Sequence, residues 1–140
     1  MNKSVFRSNE GRRTIQNACK ELYRLWPAVH RFVTVTTPFG ETHVIESGDS
    51  EGAPLLLLHG SSSNSAAWME EAGLLSIQYR VIAVDIPGEP GLSSDNRMPL
   101  SGPEIPVWIG SFLDGLAVDR VRIAGMSMGG YYALRFAATR

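Results

Sequence analysis

The sequence is poor in cysteine, in long apolar runs and in net charge, and each shortage removes a class of protein. A single cysteine, Cys19, can form neither an internal disulfide framework nor a cysteine-rich zinc site. The longest purely apolar runs are no longer than Leu55–Leu58, far below the ~20 residues that span a membrane. A net charge of −1 gives no indication of a nucleic-acid partner. We therefore expect a globular protein of 140 residues with neither a membrane nor a nucleic-acid partner.

The N-terminal segment is more basic than the remainder of the chain. Residues 1–26 contain six basic and two acidic side chains. Their apolar residues recur at helical spacing, which predicts an amphipathic helix that begins at a cap, Ser8 or Asn9, and ends before Pro27. We expect this helix to dock on residues 27–140 with its basic face in solvent; a mitochondrial presequence is the alternative, disfavoured by the two glutamates. The predicted apolar stripe consists of Ile15, Ala18, Cys19, Leu22, Leu25 and Trp26.

No targeting signal is recognisable in the sequence. The first four residues lead into no apolar stretch, so we expect no secretory signal. A cytoplasmic location is the default expectation. No internal repeat or low-complexity tract is present.

Residues 27–140 alternate between strand and helix patterns. An antiparallel hairpin is predicted first, because β-branched residues alternate around the turn that begins at Pro38. Strands alternating with helices then predict an α/β fold in which the hairpin leads into a mainly parallel sheet with flanking helices. The predicted strands are 30–37, 42–46, 55–58, 80–86 and 121–124, and the predicted helices are 65–78, 101–117 and a helix that begins at Met128.

Three unusual loops follow the predicted parallel strands. They begin at His59, Ile86 and Gly125. In open α/β sheets the functional groups gather at the carboxyl ends of the strands. We therefore expect these three loops to form one site.

The third loop carries a G-x-S-x-G motif around Ser127. The motif follows a predicted buried strand and opens a predicted helix, which is the context of a nucleophile elbow. Gly125 and Gly129 keep side chains away from the turn, and the helix N-terminus favours a developing oxyanion. The alternative interpretation is that Ser127 merely caps the helix.

The other two loops offer backbone groups to the same site. His59-Gly60-Ser61 follows the Leu55–Leu58 strand, and its glycine allows backbone N–H groups to turn toward a substrate oxygen. The loop over residues 85–93 is tight and rich in glycine and proline. Both loops suit the rim of a catalytic site.

These motifs together resemble the N-terminal half of an α/β-hydrolase, close to carboxylesterase-like members. The resemblance covers about residues 30–140. It consists of Leu-Leu-Leu-Leu-His-Gly at 55–60, Trp68, Asp-x-Pro-Gly with Gly-x-Ser at 85–93, Trp108 with Leu113, and Gly-Met-Ser-Met-Gly-Gly at 125–130. One departure is that the usual D-x-P-G-x-G-x-S pattern contains an extra residue here, Glu89 or Pro90.

The resemblance implies roles for three residues. Ser127 is expected to be the nucleophile, and the backbone N–H groups of Met128 and Ser61 are expected to form the oxyanion hole. Haloalkane dehalogenases and epoxide hydrolases, which use an aspartate nucleophile, are disfavoured because a serine stands at the elbow.

The acid and the histidine of the family's triad are missing after Ser127. The family order is Ser, then acid, then His, yet no Asp, Glu or His follows Ser127. The histidines are His30, His43 and His59, of which the first two are predicted on partly exposed strand positions, and the resemblance gives His59 a structural role. We therefore expect a fragment that is inactive alone. Its open strand edge beside residues 121–124 is a predicted site of self-association.

The leading hypothesis is a serine hydrolase that cleaves small-molecule carboxylic esters through an acyl-serine intermediate in the intact parent protein. Other chemistry on the same scaffold is an alternative: amide, lactone or C–C bond cleavage, or perhydrolysis. A second alternative is a non-catalytic ligand-binding domain of the same fold. A dinucleotide site is a poorer candidate because residues 125–130 do not match G-x-G-x-x-G. We expect no metal and no cofactor.

Overall fold

A computed structural model describes residues 4–139 as a five-stranded sheet with helices on both faces. Residues 1–3 lie outside the described residues. They belong to the predicted N-terminal segment and to the start of the chain, where we expect no secretory signal. In chain order the elements are α1 Asn9–Tyr23, β1 His30–Thr37, β2 Gly40–Ser47, β3 Ala53–Leu58, a 3₁₀ turn Ser65–Trp68, α2 Met69–Leu75, β4 Tyr79–Val84, α3 Glu104–Gly115, β5 Arg122–Gly125 and α4 Met128–Ala137.

The sheet has the strand order β1-β2-β4-β3-β5. The pairs β1–β2 and β2–β4 are antiparallel, whereas β3 pairs in parallel with β4 and with β5. The predicted architecture is therefore confirmed: an antiparallel hairpin leads into a parallel sheet. The carboxyl ends of β3, β4 and β5 meet at one edge, because parallel neighbours run in the same direction.

The sheet is covered on both faces, which explains the unbroken apolar run of β3. Leu56 and Leu58 face the core under α3 and α4, which is built around Trp108 and Tyr132. Leu55 and Leu57 face the opposite core, under α1 and α2. Successive side chains of a strand point to opposite faces, so a strand between two helix layers must be apolar at every position.

Helix α1 has one of the two predicted caps, Ser8, whereas only Cys19 and Trp26 of the predicted apolar stripe are buried. The Ser8 side chain accepts a hydrogen bond from the Gly11 N–H, whereas the helix ends at Tyr23, before the predicted boundary. The residues that pack inward after the first turns are Cys19, Tyr23 and Trp26. The Tyr23 hydroxyl and the Trp26 indole N–H each donate a hydrogen bond to a buried partner, Asp85 and Ser47. These bonds favour this face of the segment over a purely aliphatic one. Ile15, Ala18, Leu22 and Leu25 of the predicted stripe remain exposed.

Two further helices are shorter than predicted, and the strands β2 to β5 have bounds that differ from the predicted ones by one or two residues. The single helix expected over 65–78 consists of the 3₁₀ turn and the short α2, with Asn64 capping the turn through its side chain. The helix expected over 101–117 is limited to α3 because the residues before Pro103 form an irregular loop. Within residues 4–139 no helix is both long and apolar enough to cross a membrane.

Candidate active site

Ser127 stands on a strained turn between β5 and α4. Its backbone has φ 50° and ψ −116°, a region that residues with a β-carbon rarely adopt. Such a conformation costs of order 1–3 kcal/mol and persists only where the surrounding structure enforces it. The turn therefore stores strain at one residue, directly after a sheet strand.

The two motif glycines allow the backbone to make this turn. A β-carbon on Gly125 would overlap the backbone of Gly129, and a β-carbon on Gly129 would overlap the Leu58 carbonyl at the end of β3. The elbow is also tied to β3 by a hydrogen bond from the Met126 N–H to the Leu58 carbonyl, 3.0 Å. Glycine is thus required at both positions by close backbone approach.

The Ser127 hydroxyl is not used as a helix cap. Its side chain makes no capping hydrogen bond to α4, and the residue is exposed. Only its backbone carbonyl serves the helix, as the acceptor of the Tyr131 N–H at 3.1 Å. Ser127 therefore occupies the N-cap position of α4 without capping the helix through its side chain.

The loop after β3 lies directly against the elbow. A β-carbon added to Gly60 would be 3.6 Å from the Ser127 Cβ and 3.6 Å from the Met126 carbonyl oxygen. Ser61 follows on the chain, and Met128 is the first residue of α4. Neither the Ser61 N–H nor the Met128 N–H donates a hydrogen bond to another residue in the range 4–139. Two unpaired backbone donors therefore flank the serine from different elements.

The loop after β4 is organised around the carboxylate of Asp85. This side chain is fully buried and accepts hydrogen bonds from the Ser65 N–H, the Ser65 hydroxyl and the Leu92 N–H at 2.7–2.9 Å. Burial alone would raise the pKa of Asp85. The His43 ring, whose Nδ1 lies 3.5 Å from the carboxylate, and the donors of Leu92 and Ser65 outweigh burial and lower the pKa of Asp85 to about 2. Asp85 is therefore an ionised structural anchor that joins the loops after β3 and β4.

His59 is held in a structural position under the same loops. Its Nδ1 lies 2.7 Å from the Gly60 carbonyl, and its Nε2 accepts a hydrogen bond from the Ile86 N–H at 3.0 Å. These partners assign the neutral tautomer that carries its proton on Nδ1. Burial, the largest influence, lowers the pKa of His59 and so favours the neutral ring. With both nitrogens engaged by backbone, His59 has none left to accept a proton from Ser127.

His30 and His43 belong to the hairpin at the other side of the sheet. Three strand spacings separate β2 from β5, which amounts to ~14 Å. His43 is buried rather than partly exposed as predicted, because Tyr23 of α1 stacks on its ring and its Nδ1 lies 3.5 Å from Asp85. His30 is half-buried, as predicted, and its Nδ1 lies 2.8 Å from the Ala28 carbonyl. Within residues 4–139 the structure therefore places no histidine as a base for Ser127.

Glu89 is a buried carboxylate that the sequence analysis did not single out as functional. One oxygen accepts a hydrogen bond from the Ser62 N–H at 2.5 Å, and the other lies 3.4 Å from the exposed Arg97 guanidinium. Only 5% of its side chain is exposed. The sequence does show that the 85–93 loop has an extra residue, Glu89 or Pro90. That departure from the usual pattern does not indicate that the Glu89 side chain is buried.

A cavity of about 630 Å³ opens away from this site, between α3, β5 and α4. It lies beside the outer edge of β5, which pairs with no other strand within residues 4–139. Among the same residues no group of three or more His, Cys, Asp or Glu side chains is arranged to hold a metal ion.

A sheet of this order, with a strained serine between a parallel strand and a helix, defines the α/β-hydrolase class. Comparison with known sequences agrees. The chain belongs to the alpha/beta hydrolase family, whose sequence profile matches residues 55–140. The predicted resemblance to α/β-hydrolases is therefore confirmed.

Carboxylesterases are among the relatives of this chain in that family. The chain is 34% identical over 112 residues to the carboxylesterase YbfK of Bacillus subtilis (strain 168), covering 80% of this chain and 38% of that protein. It is 33% identical over 116 residues to the uncharacterized carboxylesterase nap of the same organism, covering 83% of this chain and 39% of that protein. The chain therefore spans about two fifths of the length of these relatives.

Solved structures give the same result. The crystal structure of carboxylesterase CesB (YbfK) from Bacillus subtilis superposes with a TM-score of 0.86 at 30% identity, over 93% of this chain and 46% of that one. The crystal structure of naproxen esterase from the same species gives 0.83 at 30% identity, over 94% of this chain and 46% of that one. The described residues therefore correspond to about half of an α/β-hydrolase structure.

Proposed function

We propose that the intact protein containing this chain is a serine hydrolase that cleaves small-molecule carboxylic esters through an acyl-serine intermediate. The observation that carries the proposal is that Ser127 has a strained backbone and makes no capping hydrogen bond through its side chain. It lies beside two backbone N–H groups that donate no hydrogen bond within residues 4–139. A strained residue at a strand end is costly to maintain, and it raises the serine hydroxyl to where a substrate carbonyl can reach it. A plain ligand-binding domain has no need of that strain.

The proposed reaction follows from this arrangement. The Ser127 Oγ attacks the ester carbonyl carbon, its proton passes to a base, and the carbonyl oxygen becomes an oxyanion held by the Met128 and Ser61 N–H groups. The N-terminal end of α4 adds its positive dipole at the same point. Collapse of the tetrahedral intermediate expels the alcohol, which takes up the proton, and water then releases the carboxylic acid from Ser127.

Among the histidines of residues 4–139 none lies where it could act as the base that an orienting acid would support. His59 is engaged on both nitrogens, and His43 lies at the far side of the sheet. A serine hydroxyl without a base is a weak nucleophile. We therefore propose that these groups come from outside residues 4–139 and that the 140-residue chain is inactive alone.

Ester cleavage is preferred over the alternatives because two relatives that cover 83% and 80% of this chain are carboxylesterases. A lactone is a cyclic ester that the same elbow could open. One structural neighbour, N-acyl homoserine lactonase AidH, has a TM-score of 0.67 at 30% identity over 79% of this chain. Lactones are therefore the second candidate substrate class.

A fluorophosphonate probe tests the proposal, because it phosphonylates only activated serines. The intact protein is incubated with the probe, digested and mapped by mass spectrometry, with Ser127→Ala and the neighbouring-loop variant Ser63→Ala as matched controls. We expect labelling at Ser127 in the wild type and in Ser63→Ala, together with hydrolysis of p-nitrophenyl esters. A folded wild-type protein that is unlabelled, or labelled at another serine, would overturn the proposal.

We also propose that the isolated 140-residue chain self-associates through the outer edge of β5. Support comes from the unpaired strand edge and from the apolar cavity beside it, lined by Val121, Ile123 and Phe136. Sedimentation of the isolated chain should give species larger than 15.3 kDa. A concentration-independent monomer would contradict this proposal.

A further inference from the structure

We propose that Glu89 is a positioning residue for the oxyanion hole, which it orients by holding the Ser62 N–H and thereby fixing the adjacent Ser61 N–H. This inference rests on the proposed function, in which Ser61 supplies one of the two oxyanion donors. Glu89 touches neither substrate nor nucleophile in this account. It acts through the backbone of the loop after β3.

The contact itself is short and buried. The Glu89 carboxylate accepts the Ser62 N–H at 2.5 Å, and only 5% of its side chain is exposed. Hydrogen bonds to an ionised acceptor are roughly twice as strong as those between neutral groups. A carboxylate buried this deeply would be costly without such a donor, so the pair constrains both loops.

The loop needs this constraint because Ser62 has an unfavourable backbone conformation. Its φ is 56°, in the left-handed region where a residue with a β-carbon is strained. The Ser62 nitrogen belongs to the same peptide unit as the Ser61 carbonyl, so anchoring it restricts the rotation of that unit. Releasing Ser62 would let the turn relax and change the direction of the Ser61 N–H.

Glu89 is itself held in place by its own loop. Its N–H donates to the Ile86 carbonyl at 3.2 Å, and the Gly88 N–H donates to the Ser94 carbonyl at 2.9 Å. Gly88 has φ 82°, and a β-carbon there would lie 2.7 Å from the Arg97 Cα, so the turn before Glu89 requires glycine. Glu89 therefore has a defined position facing Ser62.

The charge of Glu89 acts across the site as well. Burial, followed by the charge of Glu89, raises the pKa of Tyr132 on α4 to about 12. A negative charge in this region opposes a developing oxyanion, so Glu89 cannot assist catalysis through its charge. Its favourable contribution must therefore be geometric. The test can then distinguish the length of the Glu89 side chain, which lets it reach the Ser62 N–H, from its charge.

The test compares three variants of the intact protein by steady-state ester hydrolysis and by the rate of fluorophosphonate labelling at Ser127. Glu89→Asp keeps the charge but shortens the side chain, so the bond to Ser62 is lost. Glu89→Gln keeps the length and an oxygen acceptor but removes the charge. Arg97→Gln is the matched control, because it removes the partly exposed ion pair and leaves the Ser62 contact intact.

We expect Glu89→Asp to lower kcat about tenfold or more with KM changed less than twofold, since losing an oxyanion donor outright costs about 10²–10³. Ser127 labelling should slow in parallel. Glu89→Gln should retain most of the wild-type kcat, and Arg97→Gln should match the wild type. A generally disturbed fold would instead lower the melting temperature and change KM as well.

Two outcomes would overturn the inference. Wild-type kcat in a folded Glu89→Asp protein would show that the contact does not position the donor. A lowered kcat in Glu89→Gln beside wild-type kcat in Glu89→Asp would show that charge, not reach, is what matters. If the wild type itself is not labelled at Ser127, the proposed function fails and this inference fails with it, an outcome that the wild-type reaction alone reveals.

Discussion

The phenol of Tyr23 donates its hydrogen to the carboxylate of Asp85, with O–O distances of 2.7 and 2.9 Å. Tyr23 is the last residue of α1, and Asp85 directly follows β4. Both side chains are fully buried. Burial and the charge of Asp85 raise the pKa of Tyr23, so the phenol remains a donor. The pair joins the N-terminal helix to the loops that surround Ser127.

Removing the Tyr23 hydroxyl should destabilise the protein. In Tyr23→Phe the Asp85 carboxylate loses a buried donor, which costs about 1–3 kcal/mol. Urea unfolding of the intact protein measures this loss. Tyr79→Phe is the control, because Tyr79 is half-buried and its hydroxyl makes no hydrogen bond within residues 4–139. Equal stability of the two variants would show that the pair does not anchor α1.

The ionised Asp85 should make stability depend on pH in acid. Its folded pKa of about 2 lies below the ordinary 3.8, so the folded state favours the charged form. The resulting contribution of about 2 kcal/mol is fully present above pH ~4 and is lost as the pH falls toward 2. Urea unfolding at pH 6 and pH 3 should show a larger acid loss in the wild type than in Asp85→Asn. Parallel losses would contradict the assignment.

Gly129 and Gly130 should respond oppositely to alanine. A β-carbon on Gly129 meets the backbone of Leu58, whereas one on Gly130 meets nothing closer than 3.4 Å. Gly129→Ala should therefore misfold or lose several kcal/mol, comparable to overpacking a core. Gly130→Ala should be tolerated and should gain helix propensity of up to about 1 kcal/mol. Expression yield and thermal melting of the two variants give the comparison, and equal tolerance would contradict the described elbow.

The strain at Ser127 should be measurable without any substrate. Glycine adopts φ 50° freely, whereas alanine does not. Relief of strain of order 1–3 kcal/mol exceeds the extra entropy cost of glycine, so Ser127→Gly should be more stable than Ser127→Ala by about 1 kcal/mol. Chemical unfolding of both variants tests this difference. A more stable Ser127→Ala would mean that the turn is relaxed.

The sequence predicted those parts of the molecule whose signals are local. Leu55–Leu58 reads as a strand covered on both faces because all its side chains are apolar, and the structure buries all of them. The elbow at Ser127 was located because glycines at fixed spacing reflect a backbone requirement within five residues. Its roles as nucleophile site and oxyanion hole remain predictions.

The misplaced features depend on partners distant in the chain. The face of α1 is decided by Tyr23, whose partner Asp85 lies 62 residues further along the chain, and helical periodicity carries no information about that pairing. The burial of His43 follows from the same helix. Glu89 reads as an ordinary loop acid until the fold brings Ser62 against it.

Mass-spectrometric mapping of fluorophosphonate-labelled intact protein, run beside Ser127→Ala, tests the central claim most directly. The account predicts a single phosphonylated peptide that contains Ser127 in the wild type and no such adduct in the variant. An unlabelled Ser127 in folded wild-type protein would contradict the assignment of this elbow as a catalytic nucleophile.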